Sequence, residues 1–248
     1  MRTDIFLFGW VLLAFTQCAA VAATIHAKEI RVGTILHIQP DHPTVHLVKK
    51  AYAELGFEMI LERLPTERAI LEMNRGELLD ANLAATVLFE SHNPALIRVP
   101  VPIYQLEFAV FSNRPALKIT EWSQLLPYNV VVIKGMLAVE QALAQNQGQQ
   151  IEAVMSLEQA LRQLELGRNH LAVLPKFEAE AMLNVLQLKK VRVLSPSLAI
   201  VPAYHYVHSK HKSLVAPLTE VLARLTGQPI EVLDDEGIDS GAINPQRP

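Results

Sequence analysis

The chain has 248 residues, with 22 Lys and Arg against 25 Asp and Glu and a formal net charge of −3. Its basic residues are scattered, so the charged stripe of a nucleic-acid binder is missing and no nucleic-acid partner is expected. Half of the residues are hydrophobic, ample for a core in one large domain or two small lobes.

At the N-terminus Arg2 is followed by an apolar run from Ile5 to Phe15 and by small residues from Ala19 to Ala23. This is the grammar of a secretory signal peptide covering residues 1–23, with cleavage near Ala23 or, as a second option, Ala27. The apolar run is too short for a comfortable membrane span, and no later stretch reaches the roughly 20 residues needed. Cys18, the single cysteine, lies inside that segment, behind Phe15-Thr16-Gln17, which match a lipid-attachment site poorly. The expected mature chain therefore carries no thiol, and disulfides, thiol catalysis and cysteine-ligated metals drop out together. A periplasmic location is expected.

From there the elements alternate. Glu29–Leu36 reads as an opening strand. Pro40-Asp41-His42-Pro43 turns the chain into a helix with Val45, Val48, Tyr52 and Leu55 on one face and a stop near Gly56. Phe57–Leu64 is a second strand, Thr66–Gly76 a second helix, and Leu79–Ala85 a third strand. β-α-β-α-β is the pattern of a parallel sheet with helices outside. Ile97–Ser112 is a long, proline-marked extended stretch, as expected of a strand that leaves one lobe for another. Asn129–Ile133 reads as a buried strand, followed by a helix from Met136 to Gln145. Ser156 and Gln159 form a capping-box pattern, Leu157, Ala160, Leu161 and Leu164 share a helical face, and Gly167 suits the stop. His170–Leu174 is a strand, and Phe177, Ala181, Val185 and Leu188 stripe the helix after it. Val191–Tyr206 is a second extended stretch, and a final helix carries Leu218, Val221, Leu222 and Leu225 up to Gly227. The tail from Asp234 is polar.

The units Pro65–Ala81 and Ser156–Val173 repeat one theme: an amphipathic helix, a glycine stop, a polar step and an apolar strand. Two such units predict an α/β fold of two lobes, with two crossover strands as a hinge and a ligand cleft between. Residues 28–106 with 205–248 are expected to form lobe 1, and residues 107–204 lobe 2.

This order of elements resembles the periplasmic solute-binding proteins of the family 3 type, the two-lobed (type II) receptors of ABC importers. The echoes are Leu64-Pro65-x-x-Arg68 at a helix start, Gly76-Glu77-Leu78-Leu79-Asp80, and Trp122-Ser123-Gln124-Leu125 before the first lobe-2 strand. Tyr204–His211 with Leu214-Val215-Ala216-Pro217-Leu218 resembles the closing segment. Two departures stand out. Members that bind amino acids carry a Thr-x-x-Arg-like run after the third strand, and Ala85-Thr86-Val87-Leu88-Phe89-Glu90 has no Arg. The lobe-2 step Gly-x-x-Asp reads here as Gly167-Arg168-Asn169-His170. The resemblance implies a solute-binding protein that closes on its ligand and presents it to an ABC permease or a membrane sensor. It is expected to work as a monomer without a cofactor.

Candidate ligand residues follow from position. Arg68 begins a helix at the C-terminal side of a strand, the end that faces a cleft. Its guanidinium suits a ligand carboxylate or phosphate, or else pairs with Glu67 or Glu72. Lys134-Gly135 precede a helix N-terminus, which favours an anion. Tyr104 and Gln105 on the first crossover and Tyr204 on the second are placed to touch a ligand or to pack the hinge. Lys176 ends a lobe-2 strand, and His37 lies in a loop opening toward the cleft. A small, polar, anionic ligand is expected on the strength of Arg68 and Lys134. His37, Asp41, His42 and His46 cluster, but His46 falls on an exposed helix face, so no metal is expected. The Gly-x-Ser-x-Gly elbow, the Gly-x-x-x-x-Gly-Lys-Ser/Thr loop and His-Glu-x-x-His are all absent, and no enzyme is expected. The alternatives are a sensing or interaction module without transport, and a secreted dehydratase-like enzyme using Glu67.

Overall fold

The computed structural model describes residues 27–114 and 116–231. The expected signal peptide and the polar tail from Asp234 lie outside the described residues. Strands β1 (Lys28–Ile35), β2 (Phe57–Leu64) and β3 (Ala81–Ala85) alternate with helices α1 (Pro43–Glu54) and α2 (Thr66–Arg75). The 17-residue strand β4 (Leu96–Ser112) then carries the chain away. The second half holds β5 (Asn129–Ile133), α3 (Leu137–Ala144), β6 (Gln150–Val154), α4 (Leu157–Glu165), β7 (Leu171–Pro175), α5 (Lys176–Leu186) and the short β8 (Arg192–Val193). Strand β9 (Ala199–His208) returns, and α6 (Val215–Thr226) closes against the first half.

Local chemistry accounts for these boundaries. The His42 ring caps α1 by accepting the Thr44 N–H at 3.2 Å, with Pro43 in the first turn. Helix α2 has Glu67 in its first turn and Arg75 in its last, complementing the helix dipole, and ends at Gly76 with φ +66°. The space beside Gly76 is filled by the His208 ring, so a Cβ there would collide as well as strain the backbone. Ser156 accepts the Gln159 N–H at 3.2 Å to start α4. Gln159 in turn accepts from Met155 rather than from Ser156 itself.

In the first half β1 lies between β2 and β3, all parallel; in the second β5 lies between β6 and β7, also parallel. Strands β4 and β9 pair antiparallel along almost their whole length, which joins the two parallel sets into the continuous order β2-β1-β3-β9-β4-β7-β5-β6. The cores nevertheless divide. Val99, Val101 and Ile103 pack with Ile30, Val48 and Leu218, whereas Phe108 and Val110 pack with Val130, Val139 and Leu171. On the return Val201 belongs to the second core, and Tyr204 and Tyr206 pack with Met73, Leu79 and Phe89 in the first half. The ladder breaks register between Arg98 and Pro102 and again between Pro102 and Tyr104, on the first-core side of the crossing. Pro100 and Pro102 offer no N–H there, which loosens pairing just before the crossing. The fold is thus α/β and two-lobed.

Two elements differ from the sequence pattern. Strand β6 goes unrecognised there because four of its five residues are exposed, leaving no one-sided alternation to read. Helix α5 faces the other way: Phe177 is 50 % and Val185 75 % exposed, while Glu178 and Ala179 are buried and Met182 and Leu183 pack on the core. Small Ala179 lets the helix lie close to the sheet, and that rotation turns Glu178 inward.

His205 is fully buried between the lobe-1 strands and α1. Its Nδ1–H donates to the Leu83 carbonyl at 3.1 Å, and its Nε2 accepts from the Tyr52 hydroxyl at 2.8 Å. Burial lowers its pKa to about 4, against partial support from backbone bonds. A histidine with a depressed folded-state pKa contributes fully above its unfolded value near 6.5, and the contribution drains away as pH falls toward 4. Thermal melts should therefore lose about 3 kcal/mol of stability from this group across that window. In His205→Gln, whose side chain does not titrate, the decline between pH 6.5 and pH 4 should be shallower.

Candidate functional site

Parallel strands within each lobe bring their C-terminal ends to the same place. β1 delivers Thr34 and His37, β2 leads into Thr66, β3 into Thr86, β5 into Lys134-Gly135, and β7 into Glu178. Together with Tyr104 on the first crossover these residues line a partly enclosed cavity of about 150 Å³ between the lobes. The remaining wall is mostly apolar, with Ile35, Ile70, Met73, Leu83, Phe89 and Leu106 prominent.

The lobes touch across this cavity. Lys134 Nζ meets Glu67 Oε1 at 2.5 Å at the exposed rim, and that partner raises the Lys134 pKa. Deeper in, His42 Nε2 stands 3.5 Å from Glu178 Oε1, with both side chains almost fully buried. The His42 ring also meets Tyr104 and Phe177 edge-on, each at 5.2 Å between centroids. Gly135 adopts φ +86°, and a Cβ built there would lie 2.9 Å from the Thr66 methyl of the opposite lobe. In this structure the two lobes are in contact over the cavity.

Of the residues expected at a ligand, His37, Tyr104, Lys134 and Gly135 line this cavity. His37 is half-buried at the cavity wall; burial lowers its pKa to about 4, so the ring is neutral at pH 7. Burial, and then the charges of Glu178 and Glu107, push the Tyr104 hydroxyl well above its usual range.

The other four do not line it. Arg68 has a 60 % exposed side chain whose Nε pairs with Glu72 at 2.8 Å, the intrahelical i,i+4 alternative. Gln105 is exposed in a groove outside the hinge beside Pro43, Leu47 and Leu225. Lys176 turns from the cavity to pair with Glu107 at 2.9 Å, where Ser197 also donates. Tyr204 is buried in the hinge under the Arg98 guanidinium, 4.9 Å from its ring centroid, and donates to Glu231 at 2.7 Å. His170 lies at the far end of β7, where its Nδ1 accepts the Asn129 N–H.

Sequence reasoning missed His42 as a bridging residue and Glu178 altogether. The available signal for Glu178 was an acidic residue in the first turn of the helix after a lobe-2 strand.

No protein-family model matches the chain. An uncharacterized protein of Shewanella oneidensis is 24 % identical over 184 residues, covering 71 % of this chain and 67 % of that one. Solved structures of similar shape include a histidine kinase sensor domain with similarity to periplasmic binding proteins, with a TM-score of 0.70 and 18 % identity over 80 % of this chain and 90 % of that one. The arginine-bound form of truncated ArgBP from T. maritima superposes with a TM-score of 0.66 at 16 % identity, over 81 % of this chain and 98 % of that one. An ancestral arginine-binding protein bound to glutamine gives 0.67 at 17 % identity, over 80 % and 92 %. These likenesses establish the fold as that of the periplasmic binding proteins.

The Gly135–Thr66 approach gives a direct test of closure. Gly135→Ala adds both left-handed backbone strain and a collision with the facing lobe. The variant should fold, show a larger radius of gyration in solution scattering than the parent, and bind any cleft ligand at least several-fold more weakly. An unchanged radius and affinity would show that the lobes do not close against this contact.

Proposed function

We propose that the chain is a periplasmic binding protein, not an enzyme, that captures a small molecule between its lobes and offers the closed state to a membrane partner. The observation that supports this most is the cavity itself. It is walled by the strand ends of both lobes and spanned by a pair of crossover strands whose register breaks just before the cores separate. Only ligands that contact both walls favour closure, because a ligand shifts an equilibrium by no more than its differential affinity for the two states. The leader-like N-terminus supports the location.

The anionic ligand expected from Arg68 and Lys134 loses its support: Arg68 is engaged by Glu72 outside the cavity, and Lys134 by Glu67 at its rim. For the partner, an ABC permease and a membrane sensor both read a closed binding protein. The likeness to a histidine kinase sensor domain and the lack of an Arg after β3 favour sensing over amino-acid import.

The test is a thermal-shift screen of amino acids, organic acids, sugars, polyamines and simple amines, with hits followed by calorimetry and solution scattering. A true ligand at a hundred times its Kd adds about 2.7 kcal/mol, a rise of roughly 5–10 °C for a chain of this size. It should also bias the protein toward the compact form. A screen without a thermal shift or compaction would point instead to an interaction module that binds only macromolecules.

A further inference from the structure

Glu178 is 6 % exposed, lines the cavity, and has one carboxylate oxygen, Oε2, with no hydrogen-bond partner. Its other oxygen faces His42 Nε2 at 3.5 Å, an ion-pair distance at which no hydrogen bond forms. His42 Nδ1 is already occupied as the acceptor of the Thr44 N–H. With Nδ1 so occupied, the Nε2 N–H of His42 faces Glu178 Oε1 without making a hydrogen bond, and Oε2 is left unpartnered.

Among the described residues, Lys134 is the one lysine or arginine lining the cavity, and it is held by Glu67. Arg68 and Lys176 pair with Glu72 and Glu107 outside it, and Arg63, bonded to the Leu36 carbonyl, does not line it. The N-terminus of α5 offsets part of the burial cost of a first-turn carboxylate. A buried carboxylate is costly unless its oxygens are satisfied, and Glu178 lines the cavity with Oε2 unpartnered.

We propose that the cavity takes a small amine, with its ammonium group received by Glu178 and its compact apolar body packed in the remaining space. This rests on the ligand-binding reading above. The apolar wall of Ile35, Ile70, Met73, Leu83, Phe89 and Leu106 suits an apolar body, and a cavity near 150 Å³ is the size that accommodates a benzene ring. Tyr104 borders the same space, and its ring can face an ammonium. A ligand carboxylate near Glu178 meets a like charge, and among the described residues no unpaired lysine or arginine lines the cavity to receive it.

Cyclohexylamine, cyclohexanol and cyclohexanecarboxylate share one body and differ in charge, and calorimetry on the full chain compares them. The amine should bind more tightly than the alcohol by about tenfold to a hundredfold, the range for a hydrogen bond to a charged group, and the carboxylate more weakly than either. Glu178→Gln should weaken the amine far more than the alcohol and bring the two together. Glu178→Asp, which keeps the charge on a shorter arm, should cut amine affinity several-fold and again by more than it cuts the alcohol's, and it decides the matter if the Gln variant fails to fold. A carboxylate that equals the amine, or amine binding untouched by both variants, overturns the proposal while ligand binding stands. The same holds if none of the three binds but another screened compound does. If nothing in either panel binds, the proposal and the ligand-binding reading fall together.

Discussion

The pairing of β4 with β9 is the constraint from which the rest of the molecule follows. Each strand is long enough to serve both lobes, so neither lobe closes its sheet without the other's crossover. The ladder holds the lobes in one chain of hydrogen bonds, and the register shifts around Pro102 spare it from being rigid. Because β4 and β9 run antiparallel to the strands they flank, the parallel sets keep their C-terminal ends directed at the space between the lobes. The cavity is where those ends meet.

Closure of this space sets two kinds of contact against each other. At the rim the Lys134–Glu67 pair is exposed and screened, and acts as a reversible touch rather than a lock. Deeper in, buried His42 and Glu178 meet beside Tyr104, with the half-exposed Phe177 packed on the His42 ring. The interior contact is the selective one, since what enters beside Glu178 decides whether its burial is tolerable.

Much of the fold was legible because its signals were local. Alternation in β1, the glycine stops at Gly76 and Gly167, the Ser156 cap and the proline-marked crossover each depend on a few neighbouring residues. The site was legible only as far as backbone position could take it. His37, Tyr104, Lys134 and Gly135 reach the cavity because strand ends and the crossover place them there. Arg68 sits at an equally suitable strand end, but its side chain is drawn aside by Glu72 one helical turn on, a choice between two partners that spacing alone leaves open. Glu178 was hidden by a rotation of α5. The stripe of Phe177, Ala181 and Val185 has helical period, yet packing selects Ala179, Met182 and Leu183, and about 150° of helix rotation separates one reading from the other.

The two outermost strands carry one more consequence. β2 bears Glu58 and Glu62, and β6 bears Glu152, which is held by the side chains of Asn169 and Gln163. Open strand edges invite other chains to add on, and carboxylates along them discourage it. Lobes that swing, as proposed above, are poorly served by neighbours stitched to their flanks. The same polar residues that made β6 hard to recognise leave each lobe free to travel.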